Sequence, residues 1–123
     1  MLSLGNNMDY TIQINAQASL YWDALCEVYP ALCKHDCPYI VITGRYRVSL
    51  ARCAYWINEI RVSRQRIEYN PAGMLGEVLM HELCHQADHF LNNGCINGDG
   101  HGETWIAIMQ SIGLEPKKSY FVG

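Results

Sequence analysis

The stretch 70-NPAGMLGEVLMHELCHQADHFL-91 decides how this chain must fold. Asn70 offers a capping side chain and Pro71 a backbone already set for a first helical turn, so a helix starts here. Asn-Asn-Gly after Leu91 stops it. Leu75, Val78, Leu79, Leu83, Ala87 and Phe90 recur at helical spacing and predict a face turned into a core. Within that helix lies 81-HELCH-85. Residues four apart on a helix sit about 40° apart around its axis, with Cβ atoms roughly 5–6 Å from each other, so two imidazoles can reach one tetrahedral ion. A glutamate directly after the first histidine is turned about 100° away and can stand beside such an ion without binding it. That is the layout for a general base acting on a metal-activated water. The same five letters also occur by chance, as polar residues at the edge of a core helix.

Upstream, Asn15 reads as an N-cap, and Ala18, Tyr21, Leu25, Val28 and Leu32 predict a first helix from about 16 to 29, ended or bent by Pro30. CKHDCP reads as a loop. From 38 to 69 the chain is rich in Ile, Val, Tyr and Arg in rough alternation, which predicts two or three antiparallel strands, the last running through RVSRQRIEY. Downstream, NNGCINGDGHG predicts a loop. A closing helix is expected over about 103 to 112, closed by Gly113 and followed by Pro116. The expected class is α+β: a helix, a short antiparallel sheet, the HELCH helix and a C-terminal helix, in one domain spanning 1–123.

The 123 residues are half apolar, enough for one core and too few for a second catalytic unit. The N-terminus shows no basic-then-apolar export pattern and no run reaches membrane length, so a soluble, cytoplasmic protein without membrane contact is expected. Its six cysteines (Cys26, Cys33, Cys37, Cys53, Cys84 and Cys95) are then expected to be reduced. Cys33 and Cys37, with Cys26 upstream, form a weak candidate for a second metal site, and buried or loop thiols are the better reading. The net charge is −3, unevenly spread. Arg45, Arg47, Arg52, Arg61, Arg64 and Arg66 face only Glu59 in their segment, whereas three lysines face eleven acids elsewhere. Such a segment could follow a DNA backbone, with Tyr46, Tyr55 and Trp56 to stack on bases, or it could be the solvated face of a sheet.

Catalytic zinc needs a third protein ligand and an open position. His89 sits about 80° around the helix from His81 and is expected as an exposed helix-end residue. His101, among Gly98, Gly100 and Gly102, can fold back toward the helix and is the expected third ligand. Cys84 points away and needs no chemistry.

HELCH followed by 99-DGHGETW-105 resembles the SprT-like zinc metallopeptidase family, in which an HExxH helix is joined to a later histidine in an H-G-x-x-aromatic segment. The segment 44–71 is similar to that family's strand region, and ASLYWDALCEVYP to its opening helix; the likeness covers roughly residues 16 to 115. It implies a zincin-like fold, one Zn2+ per chain held by His81, His85 and His101, Glu82 as base, and peptide or protein substrates. The best-known relatives act on proteins attached to DNA, which raises the arginine segment as a DNA contact. Many relatives read H-G-P-E-aromatic, whereas here Glu103 comes one place earlier; Trp105 matches the aromatic and is expected in the core. Longer relatives carry a C-terminal zinc ribbon, so a minimal catalytic core, of the kind that suits a bacterial or phage gene product, is expected.

Two other classes stand beside this one. HELCHQADH shares the H-E-L-x-H-x-x-x-H spacing of ImmA/IrrE-like repressor-cleaving proteases, but the E-x-x-N-x-F-A context that supplies their glutamate ligand is missing. A non-catalytic zinc-stabilised nucleic-acid-binding or interaction module would keep the histidines and has no need of Glu82.

Overall fold

The computed structural model describes residues 7–44, 51–92 and 101–116, with backbone alone at Asn7, Met8, Asp9 and Arg52. Arg45, Tyr46, Arg47, the Arg52 side chain, Cys95 and the glycine-rich loop over 93–100 lie outside the described residues. The first helix, α1 (Asn7–Val28), begins well before the expected start. Tyr10, Ile14, Ala18, Trp22 and Leu25 form its buried stripe, and the first two of these extend the helix toward the N-terminus. Val28 is instead exposed. A short 3-10 turn, Pro30–Lys34, follows and buries Leu32, so part of the expected loop is ordered around the proline.

Asn15 is not a cap. It sits inside α1 and clasps strand β1 (Tyr39–Thr43): its Oδ1 accepts from the Ile40 N–H at 2.9 Å, and its Nδ2 donates to the Ile40 carbonyl at 3.0 Å. One amide side chain thereby does for Ile40 what a neighbouring strand would do. Strands β2 (Ala51–Ala54) and β3 (Glu59–Ser63) complete a sheet of order β1-β3-β2. The expected antiparallel pairing holds for β2 with β3, but β1 runs parallel to β3, with Ile40 opposite Ile60 and Ile42 opposite Val62. Alternation reveals strands and their wet face, not their direction. Ile60 and Val62 are fully buried, and the central place falls to the strand that carries them.

The last expected strand is cut short. Ser63 accepts a hydrogen bond from the Arg66 N–H and caps α2 (Arg64–Tyr69), in which only Ile67 is buried. Asn70 caps the next turn as expected, accepting from the Gly73 N–H at 3.3 Å. A β-carbon at Gly73 would collide with that capping amide. The helix then runs on as α3 (Pro71–Gly73), a π turn (Met74–Val78) and α4 (Leu79–Leu91). Residues 79–89 of α4 are all buried, polar ones included. The chain's closing helix, α5 (Glu103–Ser111), ends in a Schellman motif: Gly113, at φ 81°, donates to Gln110, and Leu114 donates to the Met109 carbonyl. The architecture is α+β: α1 packs against both β1 and α4, and α4 packs in addition against β2 and α5. Among the described residues no helix is long and apolar enough to cross a membrane.

The two asparagines differ in what their loss leaves behind. Asn70→Ala removes one cap and is expected to cost about 1 kcal/mol. Asn15→Ala strips both backbone groups of Ile40 and is expected to cost about 2 kcal/mol. Thermal unfolding should therefore rank Asn15→Ala below Asn70→Ala, and the reverse order would remove Asn15 from its role at the sheet edge.

Candidate metal centre

Helix α4 puts His81 and His85 on one face, and the segment before α5 brings His101 to them. The nitrogen atoms that these three rings offer all lie within 4.8 Å of one another. Nε2 of His81 and Nε2 of His85 are 3.1 Å apart. Two nitrogens each about 2.05 Å from a tetrahedral ion would be about 3.3 Å apart, so the rings already hold the spacing that one small ion requires. Three imidazoles are also the donor set of open zinc sites. Among the described residues this is the one group of three or more ligating side chains gathered so closely. Cys26, Cys33 and Cys37 do not form such a group.

Trp105, on the first turn of α5, is the floor of the cluster. Its ring centroid is 5.0 Å from His81, 5.2 Å from His85 and 4.7 Å from His101. It lies nearly parallel to His85, at 17°, and edge-on to the other two. The expectation that Trp105 packs in the core is met, and its contacts go further: one buried indole restrains three rings at once. Its Nε1 is buried with no hydrogen-bond partner among the described residues.

Glu82 is 9% exposed, and its Oε2 stands 3.8 Å from His81 Nε2. At that distance the two are neighbours in charge without a hydrogen bond. Burial pushes the carboxyl up to about 7. The acid is therefore beside the three-histidine cluster, desolvated and outside that trio, as the offset of one residue along the helix dictates.

His89 departs from its expected place. It is buried, stacked on Tyr55 at 4.9 Å and met edge-on by Trp56 at 5.3 Å, with its pKa lowered by burial and by His35 nearby. Sequence reasoning also missed Gln86. This fully buried amide accepts from the Cys53 thiol at 3.0 Å and donates to the Tyr55 carbonyl at 3.3 Å, fastening α4 to the outer strand β2 and the turn after it. Its signal was its place one helical turn beyond Glu82, on a helix buried all round. Cys84 is buried as expected, with its thiol pushed well up by desolvation. Of the arginines, Arg61 pairs with Glu59 at 2.9 Å and Arg64 with Glu68 at 3.7 Å, so much of the described basic charge is matched locally.

The SprT-like family profile matches residues 25–120, a span that holds the strands, the HELCH helix, His101 and Trp105. No curated protein and no solved structure matches the chain.

The Glu82 carboxyl binds its proton more tightly in the folded chain than at its ordinary value of 4.5. Below pH 4.5 both states are protonated and Glu82 costs nothing. As pH rises toward 7 the unfolded state gains from ionising first, so stability falls. In metal-free protein, the stability of Glu82→Gln relative to wild type should therefore climb across that window, by on the order of 3 kcal/mol. Chemical denaturation at a series of pH values measures it, and a difference that stays flat would contradict the buried acid.

Proposed function

Because the chain belongs to the SprT-like family, we propose that it is a zinc metallopeptidase that hydrolyses peptide bonds, with His81, His85 and His101 as ligands and Glu82 as general base in a zincin-like fold. The observation that carries this reading is the convergence of three imidazoles from two separate segments beside a buried glutamate. Zn2+ held by these three histidines would supply Lewis acidity and would lower the pKa of a water toward ~7.

The chain's own residues supply the rest. The three imidazoles, braced by Trp105, hold a fixed donor geometry with no need to reorganise. Glu82 receives the proton of the attacking water and delivers it to the departing amine, a shuttle that works best when the acid's own pKa is near the working pH. Its carboxyl, raised to about 7, suits that task. A structural site would need the histidines but would not need a desolvated acid beside them, and this favours the enzyme over a zinc-stabilised binding module. Proteins attached to DNA are the finer substrate class proposed here, with Arg45, Arg47, Arg52, Arg61, Arg64 and Arg66 as the contact segment.

Metal analysis after dialysis against a weak chelator should find about one zinc per chain, as a three-histidine site binds a single ion. His101→Ala should lose that zinc and His89→Ala should keep it. Zinc retained without His101 would break the ligand set. Glu82→Gln should keep the metal and lose at least ~100-fold in peptide cleavage. Cleavage unchanged in that variant would remove Glu82 from its role. Single-stranded DNA should speed cleavage of a DNA-bound protein, and a rate indifferent to DNA would end the finer reading.

A further inference from the structure

The turn between β2 and β3 holds apolar side chains in solvent while its backbone is fastened from several sides. Gln86 Nε2 and the Asn58 N–H both donate to the Tyr55 carbonyl, each at 3.3 Å. Asn58, in the left-handed region at φ 52°, donates through Nδ2 to the Asp36 carbonyl at 2.8 Å, and its own carbonyl accepts from the Tyr39 N–H at 3.1 Å. On this frame Trp56 is 85% exposed, flanked by the exposed side chains of Ile57 and Tyr39. A large apolar group held in water by a rigid frame has the character of a preorganised contact, because its ordering cost has already been met in the free protein.

Position says what that contact would meet. Trp56 stands edge-on to His89, whose ring stacks on Tyr55. His89 follows His85 by one helical turn, about 6 Å along α4. The Tyr55 carbonyl is tied to α4 as well, through Gln86, the residue directly after His85. The indole thus stands beside α4 at the level of His89, one helical turn beyond His85. We propose that Trp56, backed by Tyr55 and His89, forms a substrate subsite that receives a large apolar side chain, aromatic or branched, of a peptide lying across the metal centre. The occupant rests on the peptidase reading above. Polarity narrows it: the wall presents an indole, a phenol and an imidazole held toward its neutral form by burial, so it favours an apolar side chain over an acidic one.

Trp22 and Trp105 are buried, so acrylamide quenching of tryptophan fluorescence reports on Trp56. The experiment uses zinc-loaded Glu82→Gln, which should bind without cutting, and capped heptapeptides that differ only in a central Phe, Ala or Asp. The Phe peptide should shield Trp56 from acrylamide and bind about 10-fold more tightly than the Ala peptide, with the Asp peptide weaker still. Anisotropy of the same peptides carrying a fluorescent label should show that preference vanishing when Trp56→Ala is added, a change at an exposed residue that leaves the core intact. Equal affinity for Phe and Ala, no shielding, or a preference that survives Trp56→Ala would overturn the subsite. The two readings fail separately. Trp56-dependent binding of peptides that the zinc-loaded wild type never cleaves would end the peptidase reading and leave the subsite standing. Cleavage indifferent to Trp56 would do the opposite.

Discussion

Everything in this structure depends on burying a helix that is polar along half its length. Residues 79–89 of α4 are all withdrawn from water, and among them stand His81, Glu82, His85, Gln86, Asp88 and His89. Each buried polar group left without a partner costs about 1–3 kcal/mol, so the surrounding elements answer most of them, while His89 Nδ1 has no hydrogen-bond partner among the described residues. Asn92 donates to the Asp88 carboxylate, β2 and its turn engage Gln86, and Tyr55 covers His89. His81 and His85 are answered by each other, by His101 and by the face of Trp105. Glu82 stands among these pairings as an acid whose charge the site does not welcome. A site that strains one group while accommodating its neighbours has the general character of a catalytic one, where stability is conceded for reactivity.

How much of this could be read from the residues divides along physical lines. Local signals held: the Asn70-Pro71 start, the helix through HELCH, and the glycine stop after α5, because each depends on neighbours within a few positions. The three-histidine cluster was also legible, since the i, i+4 spacing fixes two rings and His101 followed on a glycine-rich segment able to fold back. Long-range choices were not. Asn15 has the residue type of a cap, and only the arrival of Ile40 from far along the chain makes it a surrogate strand. RQRIEY alternates well enough to pass for a strand, and its fate was decided by Ser63 and by the need to bury Ile67 alone. The direction of β1 follows from which strand takes the centre of the sheet, which no single segment encodes. His89 was misread for a related reason. A histidine near a helix end is ordinarily wet, and the aromatic turn that covers it is separated from it by more than thirty positions.

The π turn gives the long helix a property that a helical wheel drawn from Asn70 would miss. An i to i+5 ring holds one more residue than an α turn, so everything beyond Val78 is rotated by about 100° relative to an unbroken helix. The capped start and the histidine-bearing end therefore behave as two α segments out of phase. One is anchored through Asn70, Gly73 and Met74, and the other through Leu79, Leu83 and Ala87. The gain or loss of one residue over 74–78 would therefore turn the face that carries His81 and His85 by about 100° around the axis.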